Sequence, residues 1–220
     1  TGTYEKGILC FIRNNFKANG AFIDIGANIG LMSIYTAHHF PKAKVIAFEA
    51  HPKTFELFEE NVALNALANI EINQLAIGNS TGVVSIYDNW QVNRGGASLV
   101  VKTEESTGYS VDIQPLDNVI ASNAPEMIKI DVEGVELEVL KGAKETIRKF
   151  LPILIVEVSD WRENHHESSS EIVDYIQELG DYQIFKLSGG KERKSKLIEI
   201  LSPSDLPEHD NIICIARKVS

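Results

Sequence analysis

The chain of 220 residues carries 21 lysines and arginines against 31 aspartates and glutamates, a formal net charge of −10, which argues against the broad basic face that nucleic acid requires. A hydrophobic share of 44% with 24% charged residues is that of a globular protein with a real core. Its apolar runs are strand-length, far short of the ~20 residues that cross a bilayer, so no membrane span is expected.

The amino end is polar and lacks a signal-peptide pattern. It opens Thr1-Gly2-Thr3 rather than with methionine, as a missing or processed start would. A single domain over 1–220 in the cytoplasm is expected. Cys10 and Cys214 are the two cysteines, with neither a disulfide framework nor a zinc spacing between them.

The first apolar run predicts a strand at 21–26, broken by the glycine turn Gly26-Ala27-Asn28-Ile29-Gly30, and a helix over 28–40. A second strand follows at 44–49, then a helix over 53–66 with Phe55, Phe58 and Val62 on one face. A third strand is read at 70–77. Residues 78–118 break the alternation with a hairpin, VVSIY and YSVDI around a Gly95-Gly96 loop. Strands are then expected at 126–132, 153–158, 182–187 and 211–217, with helices over 135–150 and, behind the start signal Ser168-Ser169-Ser170, 170–179. Residues 188–210 read as a long polar excursion, and the basic cluster Lys191-Glu192-Arg193-Lys194-Ser195-Lys196, after Gly189-Gly190, as a solvated loop, with a phosphate or anionic-substrate contact the alternative. No helix pattern separates the last two strands, so the last is expected to run antiparallel. The fold class is therefore α/β: a Rossmann-like, doubly wound, seven-stranded and mostly parallel sheet, its last strand antiparallel, with a β-hairpin inserted between core strands 3 and 4.

A strand that turns through glycines into a helix brings backbone N–H groups up to a ligand. Glu49, about twenty residues on, is placed to bind the two hydroxyls of a ribose. A dinucleotide fingerprint needs a second glycine where Asn28 stands and a third where Leu31 stands. A side chain at 28 obstructs a pyrophosphate but leaves room for the aminoacyl tail of S-adenosylmethionine, which has no phosphate. Asp24, acidic at the end of a buried strand, needs a cationic or N–H partner. A methionine-type ammonium would serve, and so would the turn's own amides. Gln74, Leu75 and Ala76 would flank an adenine. The expected cofactor set is Asp24, Gly26, Ala27, Asn28, Gly30, Glu49, Ala50, Gln74, Leu75, Ala76 and Asp131. A purely structural turn and a helix-capping Glu49 remain the alternatives.

These blocks, FIDIGANIGLMSI, AFEAHPKTFELFEENVALN, GGASL, MIKIDVEGVELEVLKGA (127–143) and PILIVEVS (152–159), resemble the FkbM-type methyltransferases, a class I S-adenosylmethionine-dependent family. The resemblance spans residues 20–160. Ala50-His51-Pro52 stands where the family usually has a Pro-x-Pro spacing, and residues 160–210 carry no pattern. It implies O-methylation of a hydroxyl on a small molecule, sugar, glycolipid or secondary metabolite.

Methyl transfer to an alcohol is an in-line displacement that benefits from positioning and from a base. Asp131 ends the fourth strand and Glu157 the fifth, so adjacent parallel strands would bring the two carboxyls together. Glu133 lies just beyond. The candidate bases rank Asp131, Glu157, Glu133. Lys129 has the spacing of an ion-pair partner for Asp131, and Glu136 suits a helix N-terminus. Paired carboxyls can also hold a divalent ion, but no metal spacing indicates one. His165-His166 reads as solvated loop, and Asn93 to Ser98 as a loop that closes over the ligands. A nucleic-acid or protein methyltransferase on the same fold, or a non-catalytic cofactor-binding domain, are the competing readings. No Asn/Asp-Pro-Pro-aromatic tetrapeptide stands at the fourth strand, and Asn28 argues against a nicotinamide enzyme.

Overall fold

A computed structural model of the chain describes residues 4–88, 97–98, 108–120, 123–160 and 168–217. The loop residues Asn93-Arg94-Gly95-Gly96 and the pair His165-His166 lie outside the described residues. The first half runs α1 (Lys6–Asn15), β1 (Ala21–Ile25), α2 (Leu31–His39), β2 (Lys44–Phe48), α3 (Pro52–Leu64) and β3 (Ile70–Asn73). There follow β4 (Ala76–Ile77), β5 (Gly82–Asp88), β6 (Ala97–Ser98), β7 (Gly108–Gln114) and the short α4 (Leu116–Val119). The second half holds β8 (Pro125–Ile130), α5 (Glu136–Gly142), α6 (Lys144–Phe150), β9 (Ile153–Ser159), α7 (Ser169–Leu179), β10 (Tyr182–Leu187), β11 (Leu197–Glu199) and β12 (His209–Ala216).

The main sheet has the order β3-β2-β1-β8-β9-β12-β10-β11 among the described residues. Strands β1, β2, β3, β8 and β9 pair parallel, and β12 lies antiparallel to both β9 and β10. The seven expected core strands all form, with the last one reversed. Wedging β12 between β9 and β10 lets a chain that needs no crossover helix return directly beside its predecessor. An eighth strand, β11, adds antiparallel to the edge of β10. It comes from the segment read as polar excursion, because three residues are too few for alternation to register.

Two element boundaries are corrected. The run read as one strand over 70–77 is two strands in different sheets: β3 ends at Asn73, and β4 pairs with β7 in a second sheet ordered β4-β7-β5-β6. There β5 and β7 form the inserted hairpin, Gly82 facing Ile113 through Tyr87 facing Gly108. The helix read over 135–150 divides at Ala143. Asp117 from α4 caps the second piece, accepting from the Glu145 and Thr146 amides at 3.0 and 2.8 Å, so α6 starts on its own N-terminus.

Helix α1 escaped the sequence reading. Ile8, Phe11 and Ile12 recur at i, i+3, i+4, with Phe16 just beyond the helix, and they bury against one sheet face with Phe22, Met127, Ile155 and Ile213. The opposite face packs Ile23, Ile128, Leu154 and Ile212 against α4 to α7. Period-2 alternation thus divides each central strand between two cores, as expected of a sheet covered on both sides. Among the described residues no helix is long and apolar enough to cross a membrane.

Gly30 serves packing. It is left-handed at φ +88°, and a Cβ there would lie 2.0 Å from the ring of Phe58, itself fully buried beneath α3. Gly30→Ala combines a strained backbone with an overfilled core, and unfolding in denaturant should show a loss of about 3 kcal/mol; an unchanged midpoint would contradict this packing.

Candidate functional site

The alternation that buries Phe22, Ala47, Met127 and Ile155 sends Asp24, Glu49, Lys129 and Glu157, each two residues later, to the same side of the sheet at the strands' carboxyl ends. There they line a cavity of about 910 Å³, together with Asp131, Glu133 and the glycine turn. Carboxylate ends gathered in this way outnumber the cations that face them, so the cavity suits a positively charged ligand.

The turn after β1 is built from left-handed residues, Gly26 at φ +76°, Asn28 at +52° and Gly30 at +88°. Gly26 permits close approach of two strands: a Cβ would meet the Asp131 carbonyl oxygen at 1.9 Å. Asn28, a residue that tolerates this conformation, accepts from the Ile29 amide through its own Oδ1 at 2.8 Å. The amides of Gly26 and Ala27 both donate to the Phe48 carbonyl at 3.0 Å, and that of Gly30 donates to Ala27 at 2.9 Å. Asn28 N donates to Glu49 Oε2 at 2.8 Å. Every N–H from Gly26 to Gly30 is therefore bonded within the chain. The obstruction expected from the Asn28 side chain is a lesser matter than this consumption of the donors.

Glu49 ends up bridging two segments, since its Oε1 accepts from His51 N at 2.9 Å while Oε2 holds the turn. Burial raises its pKa and these backbone bonds oppose the rise. Each carboxylate oxygen keeps lone-pair capacity beyond these bonds. Asp24 is buried, with Oδ2 accepting from Ser33 Oγ at 2.6 Å and Oδ1 lacking a hydrogen-bond partner among the described residues. Burial pushes its carboxyl up, against the pull of Lys129.

Ala27, Asn28, Ala50, Leu75 and Ala76 line the cavity, and Ile77 with Ile86 continues an apolar wall from β4 and β5. The structure does not bring Gln74 there; it is exposed, in the bend where the chain changes sheets. Gly30 stands behind the wall, on Phe58.

On the β8–β9 side, Lys129 Nζ lies 2.7 Å from Asp131 Oδ2. Burial would raise the Asp131 carboxyl, but Lys129 outweighs it and holds the group below its ordinary value. For Lys129, burial acts downward and is overcome by Asp131, Glu5 and Asp24, so the ammonium stays charged. Glu157 behaves in the opposite sense: burial and then Asp131 push it up to about 7, against Lys191. One oxygen from each of Asp131, Glu133 and Glu157 falls within 4.8 Å of the others. Lys129 and Lys191 each pair with one of the three at 2.7 Å, so the trio already carries two positive partners. Glu133, left-handed at φ +61°, is presented by a loop that Glu136 organises. The Glu136 carboxylate accepts from Gly134 N at 3.1 Å and Val132 N at 3.2 Å, and burial raises it to about 7 despite these bonds. Glu136 thus folds back on its own loop, a more specific role than a favourable helix dipole.

Sequence reasoning missed Glu5, Lys191 and His209, which also line the cavity. Lys191 turns inward because Gly190, at φ +70°, reverses the chain and because its carbonyl accepts from Gly7 N at 2.7 Å. No local pattern in the sequence marks this inward turn.

The model of the methyltransferase FkbM domain matches residues 24–182. Similar chains include Methyltransferase sdnD of Sordaria araneosa, 29% identical over 67% of this chain and 70% of that protein. The hexuronic acid methyltransferase AglP of Haloferax volcanii is 28% identical over 70% of this chain and 62% of its own length. Among solved structures, a methyltransferase FkbM from Methylobacillus flagellatus KT superposes with a TM-score of 0.58 at 20% identity, over 91% of this chain and 44% of that one. An rRNA methylase from Streptococcus thermophilus gives 0.52 at 12% identity over 96% and 95%, a likeness of fold alone. With most of its length matched by the family model, the chain belongs to the FkbM methyltransferase family and is a methyltransferase.

Proposed function

We propose that the protein is an S-adenosylmethionine-dependent O-methyltransferase acting on a hydroxyl of a small molecule, sugar, glycolipid or secondary metabolite. The observation that carries the cofactor reading is the glycine turn, whose amides from Gly26 to Gly30 are all engaged internally. Such a turn offers no N–H cradle to a pyrophosphate. It suits a phosphate-free nucleoside instead, with the buried, unbonded Asp24 Oδ1 available to an ammonium. Glu49 would meet the ribose hydroxyls through its spare lone pairs, and Leu75, Ala76 and Ile77 the adenine. A sugar acceptor is supported by the hexuronic acid relative.

When bound, S-adenosylmethionine would supply a sulfonium methyl for transfer to an acceptor oxygen, with a thioether as leaving group. Glu157 takes up the hydroxyl proton; titrating near neutrality, it can both accept and release it. Asp131, locked to Lys129, keeps a negative charge beside the reacting region without being the base. Glu133 lies within reach to orient the acceptor.

Calorimetric titration tests the cofactor half. S-adenosylhomocysteine should bind at micromolar affinity or better and NAD should not bind; the reverse result overturns the reading.

A further inference from the structure

Three groups that line the cavity, Glu5, Lys191 and His209, lie outside the matched residues 24–182. Lys191 Nζ sits 2.7 Å from Glu157 Oε1 and 3.6 Å from Glu5 Oε1. Its backbone is pinned on both sides: the amide donates to Asp210 Oδ1 at 3.1 Å, and the carbonyl accepts from Gly7 at the start of α1. The seat is tight, since a Cβ on Gly7 would meet the carbonyl oxygens of Lys191 and Arg193 at 2.7 Å. Glu5 is buried in a left-handed conformation at φ +46°, with its amide donating to Glu192 Oε2 at 3.0 Å. A non-glycine residue in that region, carrying a buried carboxyl, persists only where its surroundings over-determine it. Here they hold the carboxyl 3.6 Å from the Lys191 ammonium, in the field of Lys129 as well.

We propose that Lys191 is a positioning residue of the reaction centre: anchored by α1 and β12 and flanked by Glu5, its ammonium holds the Glu157 carboxyl at the end of β9 for uptake of the acceptor's proton. The assignment rests on the O-methyltransferase reading for its purpose and on the geometry for its existence. Glu157 faces Lys191 from the loop after β10, His209 from the start of β12 at 3.9 Å, and Asp131 and Glu133 from the end of β8. Lys129 stands behind Asp131, and Glu5 with Tyr4 stands beyond Lys191. Of these, Lys191 is the cation in direct contact, so its charge opposes the upward push from burial and Asp131.

Carbon-13 glutamate labelling tests this without an acceptor. The Glu157 side-chain carboxyl signal is identified by its loss in Glu157→Gln, and its titration midpoint is read in wild type, Lys191→Met and Lys191→Arg. Removing the cation should raise the midpoint by about one to three pH units, and arginine should restore it toward the wild-type value. The same midpoint in wild type and Lys191→Met overturns the proposal. Should Lys191→Met fail to fold by circular dichroism, the wild-type nitrogen-15 lysine spectrum decides. The Lys191 ammonium signal, identified by its absence in Lys191→Arg, must shift with the Glu157 midpoint, and a signal insensitive to it overturns the contact. Failure of the wild type to bind S-adenosylhomocysteine would remove the methyltransfer cofactor and leave the Lys191–Glu157 result standing.

Discussion

Glu157→Gln should cut turnover by about 10²- to 10⁴-fold, the usual contribution of a positioned base, while leaving S-adenosylhomocysteine affinity close to wild type. Turnover is followed as S-adenosylhomocysteine release on a hydroxyl acceptor found by screening. The base works as the carboxylate, so wild-type turnover should rise with pH through the Glu157 value of about 7 and level off above it. The glutamine variant should lose that limb. Asp131→Asn should keep the limb but move it to lower pH, because Asp131 is a negative neighbour that raises Glu157. Full activity of Glu157→Gln at pH 8 would take Glu157 out of the chemistry and return the role to Asp131 or Glu133.

Glu49→Ala should weaken S-adenosylhomocysteine at least ~100-fold, since two charge-assisted hydrogen bonds at ~1.5 kcal/mol or more each amount to two decades of affinity. Part of that loss would come from the protein, because Glu49 also ties Asn28 to His51. Titration with adenosine separates ribose binding from recognition of the tail. Adenosine should lose affinity in Glu49→Ala as the full ligand does, whereas Asp24→Asn should weaken S-adenosylhomocysteine and spare adenosine. Equal effects of both substitutions on adenosine would mean that the two carboxyls merely support the cavity wall.

The sheet was legible because the central strands are mostly apolar, with few charged residues, and most of the turns around them carry a glycine or a proline. The site residues were legible for the same reason: Asp24 and Glu157 sit near the carboxyl ends of β1 and β9, and Glu49 and Asp131 directly follow β2 and β8, so the strands deliver them to one edge. Periodicity could not tell that 70–77 changes sheets after Asn73, since both pieces are extended and each carries apolar residues. Nor could it rank the carboxyls. Asp131 and Glu157 look alike in sequence, and their opposite titration stems from which lysine reaches each and how much burial it offsets. A charge cluster usually lies in solvent, and the inward turn of Lys191 depends on Gly7, 184 positions away in the chain.

That separation bears on the order in which the molecule assembles. The side proposed for the cofactor draws on residues 24–86, with β4 held by β7, contacts much closer along the chain than those that seat Lys191. The wall carrying Glu157 is finished only when residues 4–9 meet the loop after β10, a closure spanning 184 positions from Gly7 to Lys191. A chain emerging from synthesis would thus assemble the side proposed for the cofactor before the side that carries the proposed base, which waits for the loop after β10 and for β12.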